Sequence, residues 1–293
     1  AVYLLLVAII VVAATTIATV ISDCEKTPRV QTAVTVAPPP AHQRIVVSSF
    51  RGVSEPQADA WRDMLGNIEK LKGDHVNTVA IQPPVLISLQ AGRQRRVALE
   101  GDAVAAPRAV ADFHQAGMAV LIAPTVEDYL FPQSAAAEQL AQLLDTSAVR
   151  QQLDEDVLKW ASTAEEYQAE LFAPLKAYNL TLGSNEAAGS WGQEILPRIR
   201  ERYSGLLVAS VVPSINSGQA AAELYDFERL DYRGYDYLML AVHPEGEGFD
   251  PAAWQAYVSD LLARAEAVVS RDGLKGVIVG DFGGWREDTG AAG

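Results

Sequence analysis

The chain has 293 residues, 49% of them apolar and 20% charged, with 21 glycines and a formal charge of −14. That is enough apolar material for one large core or two small ones, and it excludes a disordered tail. The acidity argues against general affinity for nucleic acid or anionic lipid, which need clustered Lys and Arg to neutralise phosphates, and the single cysteine, Cys24, excludes an internal disulfide or a Cys-rich metal site.

The first element is the uncharged run from Ala1 to Ser22, "AVYLLLVAIIVVAATTIATVIS". At 1.5 Å per residue, about 22 helical residues reach roughly 33 Å, enough for a bilayer core. One uncleaved transmembrane helix is expected there, since a cleaved signal peptide ordinarily has a shorter apolar region. Ala8, Ala13, Ala14 and Ala18, with Thr15 and Thr19, supply the small surface that transmembrane helix contacts use. The expected partners are therefore subunits of a larger integral-membrane assembly, of which respiratory and photosynthetic complexes are examples. Lipidation of Cys24 is not expected, because "VISDC" carries Asp23 where a lipoprotein site takes a small residue. Residues 23–43 are polar and then Pro-rich, ending in "TVAPPPAHQ", which predicts a semi-rigid spacer. A folded domain is expected over 44–293, on the extracytoplasmic (periplasmic) side of a single-pass membrane protein.

From Arg44 onward, short β-rich runs alternate with helical patterns. "RIVVSSF" precedes the helical "PQADAWRDMLGNIEKLKG", "VNTVAIQPP" precedes "DAVAAPRAVADFHQAG", and "MAVLIAPTV" precedes a long helical region reaching Tyr178. "LTLGSNE", "LLVASVVPSI", "YDYLMLAVHPE" and "GVIVGDFGGW" supply four more predicted strands, separated by "WGQEILPRIRERYSG", "AAAELYDFERL" and "PAAWQAYVSDLLARAEAVVS". Strands apolar nearly throughout, each followed by an amphipathic helix, indicate a parallel sheet covered by helices. Seven of them favour a (β/α)8 TIM-barrel-like fold. Only eight residues follow Trp285, so the eighth strand and its helix are expected to lie outside this sequence. No Gly-rich phosphate loop follows any strand, which weakens dinucleotide and nucleoside triphosphate readings, and no cofactor is expected.

Chemistry in such a barrel sits at the C-terminal ends of the strands. The residues expected there are Arg51, Gln82, Glu127 and Asp128, Asn185 and Glu186, Asn216, His243 and Glu245, and Asp281. This acid-rich rim, with "HVNTVAIQPP", "FHQAGMAVLIAPTV" and "YNLTLGSNEA", resembles the clan of retaining β-glycoside hydrolases with TIM barrels, and its endo-β-mannanase-type members most. The hallmark of that clan is Asn-Glu ending strand four and Glu ending strand seven. The resemblance implies Glu186 as general acid/base and Asp281 in the nucleophile's place. It also implies Arg51, Asn185, His243 and Trp285 as saccharide contacts, with Asn185 bonded to the sugar 2-hydroxyl. Retention requires the two carboxyl groups about 5 to 5.5 Å apart.

Two departures bear on activity. Asp281 is one methylene shorter than the clan's Glu, which sets its carboxylate back by roughly 1 Å, and misplacement of that size can cost about 10²-fold. The eighth strand, where the clan presents a Trp beneath the sugar, is not in the sequence. Bland readings stand beside these: Glu186 as a helix cap, Asp281 as a turn residue before "FGGW", "HPEGEGFD" as a solvated loop and not a metal site, and "RQRR" as a solvated face. The "NLT" sequon at Asn179 is discounted because it enters an expected buried strand. The favoured expectation is a glycosidase-like barrel kept as a non-catalytic structural or accessory subunit of a membrane complex. The alternative is a retaining, mannanase-like glycosidase acting on a polysaccharide through Glu186 and Asp281.

Overall fold

The computed structural model describes residues 43–47, 49–53, 61–83, 85, 108–126, 147–182, 185–213, 226–242 and 251–282. All belong to the unit Pro39–Gly293. The expected transmembrane helix over 1–22, nearly all of the spacer, and Cys24 lie outside the described residues. No helix among the described residues is long and apolar enough to cross a membrane.

Among the described residues, seven parallel strands form one sheet in sequence order: β1 Gly52–Val53, β2 Thr78–Ile81, β3 Ala119–Ile122, β4 Leu171–Phe172, β5 Leu206–Val211, β6 Tyr237–Val242 and β7 Gly276–Phe282. Around it lie α1 Trp61–Gly66, α2 Ile68–Gly73, α3 over 108–115, α4 Ser147–Glu166, α5 Tyr178–Thr181, α6 Asn185–Arg200 and α7 Pro251–Asp272.

Alternation along the strands divides the core in two. Val79 and Ile81, Val120 and Ile122, Leu207 and Ala209, and Leu238 and Leu240 face the helices in one large cluster. Leu121, Leu171, Val208 and Met239 face the other way and meet in a second cluster inside the curled sheet. Because both faces are buried, the strands read as continuous apolar runs. The helices answer with periodic stripes: α6 buries Ala188, Trp191, Gly192, Ile195, Leu196 and Ile199, the spacing of one helical face. The end of α7 is set by Gly273, whose φ of 74° lets its own N–H and that of Leu274 bond to Val269 O.

Two expected strands are corrected. "RIVVSSF" is not a strand. It is a strap across the base of the sheet, the end where the strands begin. Its Arg44 donates to Ala169 O, Ser204 Oγ and Glu165, and its Ile45 N–H donates to Glu170 Oε1, all beside the start of β4 and β5. Phe50 then meets Tyr237 of β6 edge-on, with ring centroids 5.7 Å apart, before the chain enters β1. Val46 on the strap is 97% exposed, which a strand buried on both faces would not allow. The second correction concerns strand four. "LTLGSNE" holds the end of α5 and the start of α6, and the fourth strand is Leu171–Phe172, inside the stretch expected to be helical.

Candidate functional site

The fourth strand's run continues past Phe172. The Ala173 N–H donates to Ile122 O (2.9 Å) and the Lys176 N–H to Pro124 O (2.8 Å), so the chain keeps step with β3 until Lys176 and Ala177 at the mouth. There Lys176 Nζ donates to Gln82 Oε1 beyond β2 (3.1 Å), and the Ala177 N–H donates to Ser210 Oγ on β5 (3.1 Å). Gln82 and Ser210 are both buried. Ala177 has φ of 49°, a left-handed backbone that costs a side-chain-bearing residue about 1 kcal/mol and gathers at functional sites. The turn that follows is fixed by Asn179, whose amide donates to Val212 O (2.9 Å) and accepts from Val212 N–H (3.0 Å). Fully buried and so engaged, Asn179 offers no accessible amide for glycosylation.

Lys176, Ala177, Gln82 and Ser210 share a recess of about 20 Å³ with Leu121, Met239, Ala241 and Gly280. Gly280 is the extra residue of a β-bulge, since Leu240 pairs with Val279 and Ala241 with Asp281. A Cβ at Gly280 would fall 2.3 Å from Met239 Cγ, so glycine keeps this wall thin. Behind Ala177, burial pushes the Tyr178 phenol well above its usual range, helped by Tyr232, Tyr235 and Asp231. That phenol stays neutral and is no base.

The expected site residues fare differently. Asn185 and Glu186 do not end a strand. They open α6 in the helical layer, with Asn185 Nδ2 donating to Asp226 O (2.9 Å) and Glu186 exposed. Arg51 precedes β1 instead of following it. Its N–H donates to Asn77 Oδ1 and its carbonyl accepts from Asn77 and Thr78 at the start of β2, which puts it at the base, opposite the mouth. Asp281 does lie at the C-terminal end of β7. His243 and Trp285 lie outside the described residues, as do Glu127, Asp128, Asn216, Glu245 and the "RQRR" run.

Sequence reasoning missed Lys176, Ala177 and Ser210. The signal was "LFAPLKAYN": once "LF" is read as a strand, Lys176 and Ala177 fall at its mouth end. Neither is an acid, so strand four ends without the carboxylate that retaining hydrolysis needs. Among the described residues no three His, Cys, Asp or Glu side chains gather to hold a metal ion.

No protein-family model and no curated protein sequence matches the chain. Solved structures are similar to it in fold. An exo-β-1,4-mannosidase from Opitutaceae bacterium strain TAV5 aligns with a TM-score of 0.52 at 10% identity, over 74% of this chain and 43% of that one. A GH113 β-mannanase from Alicyclobacillus acidocaldarius gives 0.48 at 15% identity, over 78% and 69% of the two chains. A family 1 β-glucosidase from Thermotoga maritima gives 0.47 at 10%, over 75% and 66%. The chain thus spans less than half of the exo-mannosidase, and the likeness fixes the fold alone: a curled parallel sheet of the TIM-barrel type found in glycoside hydrolases.

Proposed function

We propose that the domain is a glycosidase-type barrel that does not hydrolyse glycosides, kept as a saccharide-binding or accessory module. The observation that carries this reading is the end of strand four, where Lys176 and Ala177 stand in place of the clan's Asn-Glu pair. A lysine and a methyl group can neither protonate a leaving glycosidic oxygen as a carboxylic acid does nor act as its conjugate base. The apolar run 1–22 supports a single-pass anchor, with integral-membrane subunits as partners. Sizing of the detergent-solubilised native species tests that part: a free monomer without co-purifying membrane subunits counts against it.

The test of the main reading is hydrolysis of β-1,4-mannan, cellulose and xylan oligosaccharides by the purified chain beside its Glu186→Gln variant. No product is expected from either. Turnover by the parent that vanishes in Glu186→Gln, with product that keeps its anomeric configuration by NMR, would establish the alternative, a retaining glycosidase using Glu186 and Asp281.

A further inference from the structure

The outer side of β7 borders a cavity of about 570 Å³, a size in the range of ligand pockets. Its inner wall is apolar, built by Leu121, Leu171, Met239 and Ile278, and Val47 and Phe50 of the strap close the far side. Barrel interiors of this type are ordinarily filled by side chains. Among the described residues β7 pairs with β6 alone, and an edge strand presents a row of unpaired N–H and C=O groups. Only Ser49, Thr78, Tyr237 and Lys275 bring polar side-chain atoms to the lining, so the edge itself supplies much of its hydrogen-bonding capacity. Gly276 keeps that edge open. A Cβ there would meet nothing nearer than Tyr237 Cε1 at 3.7 Å, so packing does not demand glycine, and a bare position in a strand lets a second backbone approach.

Charge gathers at the base end of this edge. Lys275, the residue before β7, reaches Asp236 (2.8 Å), and Arg200 reaches the same carboxylate (2.7 Å). Two cations over one carboxylate leave this corner with one positive charge in excess. The Lys275 side chain is 55% exposed, and Asp236 takes one of the three donors an ammonium carries. We propose that the edge of β7 docks the C-terminal segment of a partner polypeptide, extended and apolar at alternate positions, with its terminal carboxylate beside Lys275. Because the strands begin at the base, a segment that ends at Lys275 runs antiparallel to β7. Over 276–280 it gains main-chain bonds along roughly 17 Å of edge, and every second side chain enters the cavity toward Leu121, Leu171 and Met239. A lipid tail would cover the apolar wall but leave the N–H and C=O groups of the edge unpaired and desolvated, which is unfavourable. A peptide that ends in a carboxylate satisfies wall, edge and charge together.

Docking here does not depend on whether the mouth hydrolyses glycosides. The test is titration of the full chain, followed by NMR shifts and deuterium exchange, with an acetylated hexapeptide of alternating threonine and valine that ends in a free carboxylate. Its C-terminal amide, a version with proline at every second position, and dodecanoate are the comparisons. The acid is expected to bind about tenfold more tightly than the amide, and to slow exchange of the 276–280 amides about tenfold while β3 is unchanged. Lys275→Met should remove the preference for acid over amide and Lys275→Arg should keep it. Ala80→Leu, which fills part of the cavity, should weaken acid and amide alike, with thermal melts confirming that each variant folds. No binding of the acid, equal binding of acid and amide, equal binding of the proline version, or unchanged exchange at 276–280 would overturn the assignment. Displacement of the peptide by dodecanoate would give the cavity to a lipid, and protection of β7 that rises with chain concentration alone would give the edge to a second copy; either result overturns it as well.

Discussion

A single carboxylate joins three elements at the base of the sheet. Asp236 accepts from Arg200 at the end of α6 (2.7 Å), from the Leu207 N–H of β5 (2.8 Å) and from Lys275 before β7 (2.8 Å). Burial alone would raise its pKa, but the bonds from Lys275, Arg200 and Leu207, with the Arg200 charge, outweigh burial and hold it below the usual carboxylate range. The folded form therefore binds this proton less readily than the unfolded chain. The resulting stabilisation is complete above the unfolded value of about 3.9 and disappears as pH falls through the lower folded value. Asp236→Asn should lower unfolding stability by roughly 1–3 kcal/mol at pH 7, and its gap from the parent should close as pH drops below about 4. Urea titrations across pH 2.5–7 would show it; a gap independent of pH would refute the account.

Among the elements, the strap before β1 makes the sharpest test of what holds the base. Arg44 makes three polar contacts and lies over the Tyr203 ring, 5.2 Å from its centroid. Arg44→Ala should cost about 2 kcal/mol and speed proteolytic cleavage near residues 43–50; unchanged cleavage would mean that Ile45 and Phe50 hold the strap alone. This element also shows where sequence reading stops. β2, β3, β5, β6 and β7 were legible because each is a run of four or more residues, mostly apolar, and all but β7 precede a helical pattern. β4 was not, because two residues carry no periodicity and "AEEYQAELFAP" blends into the helical composition of α4. "LTLGSNE" misled by alternating Thr and Leu, whereas Asn179 satisfies Val212 with its side chain and frees the backbone to coil into α5. The site inherited that error: misplacing strand four moved the expected acid from Lys176 and Ala177 to Glu186, while Asp281, on a long strand, was located at once.

At the scale of the whole molecule the sheet has a seam. A cavity of about 570 Å³ is lined from one side by Phe50, Gly52 and Thr78 and from the other by Tyr237 and Gly276 to Gly280, and Val279 on β7 is 45% exposed. β3 is paired on both sides, whereas β7 pairs only with β6 among the described residues. Amides of β7 should therefore exchange with deuterium at least tenfold faster than those of β3. Equal protection would reveal a further strand covering the seam. The strap has a mechanical consequence as well. Although the chain enters the sheet at β1, beside the seam, its first polar attachments among the described residues are to the segments flanking β4, the middle of the seven described strands. Tension applied ahead of Gln43 is therefore delivered to the inner part of the sheet before it reaches β1, and that margin is spared from peeling.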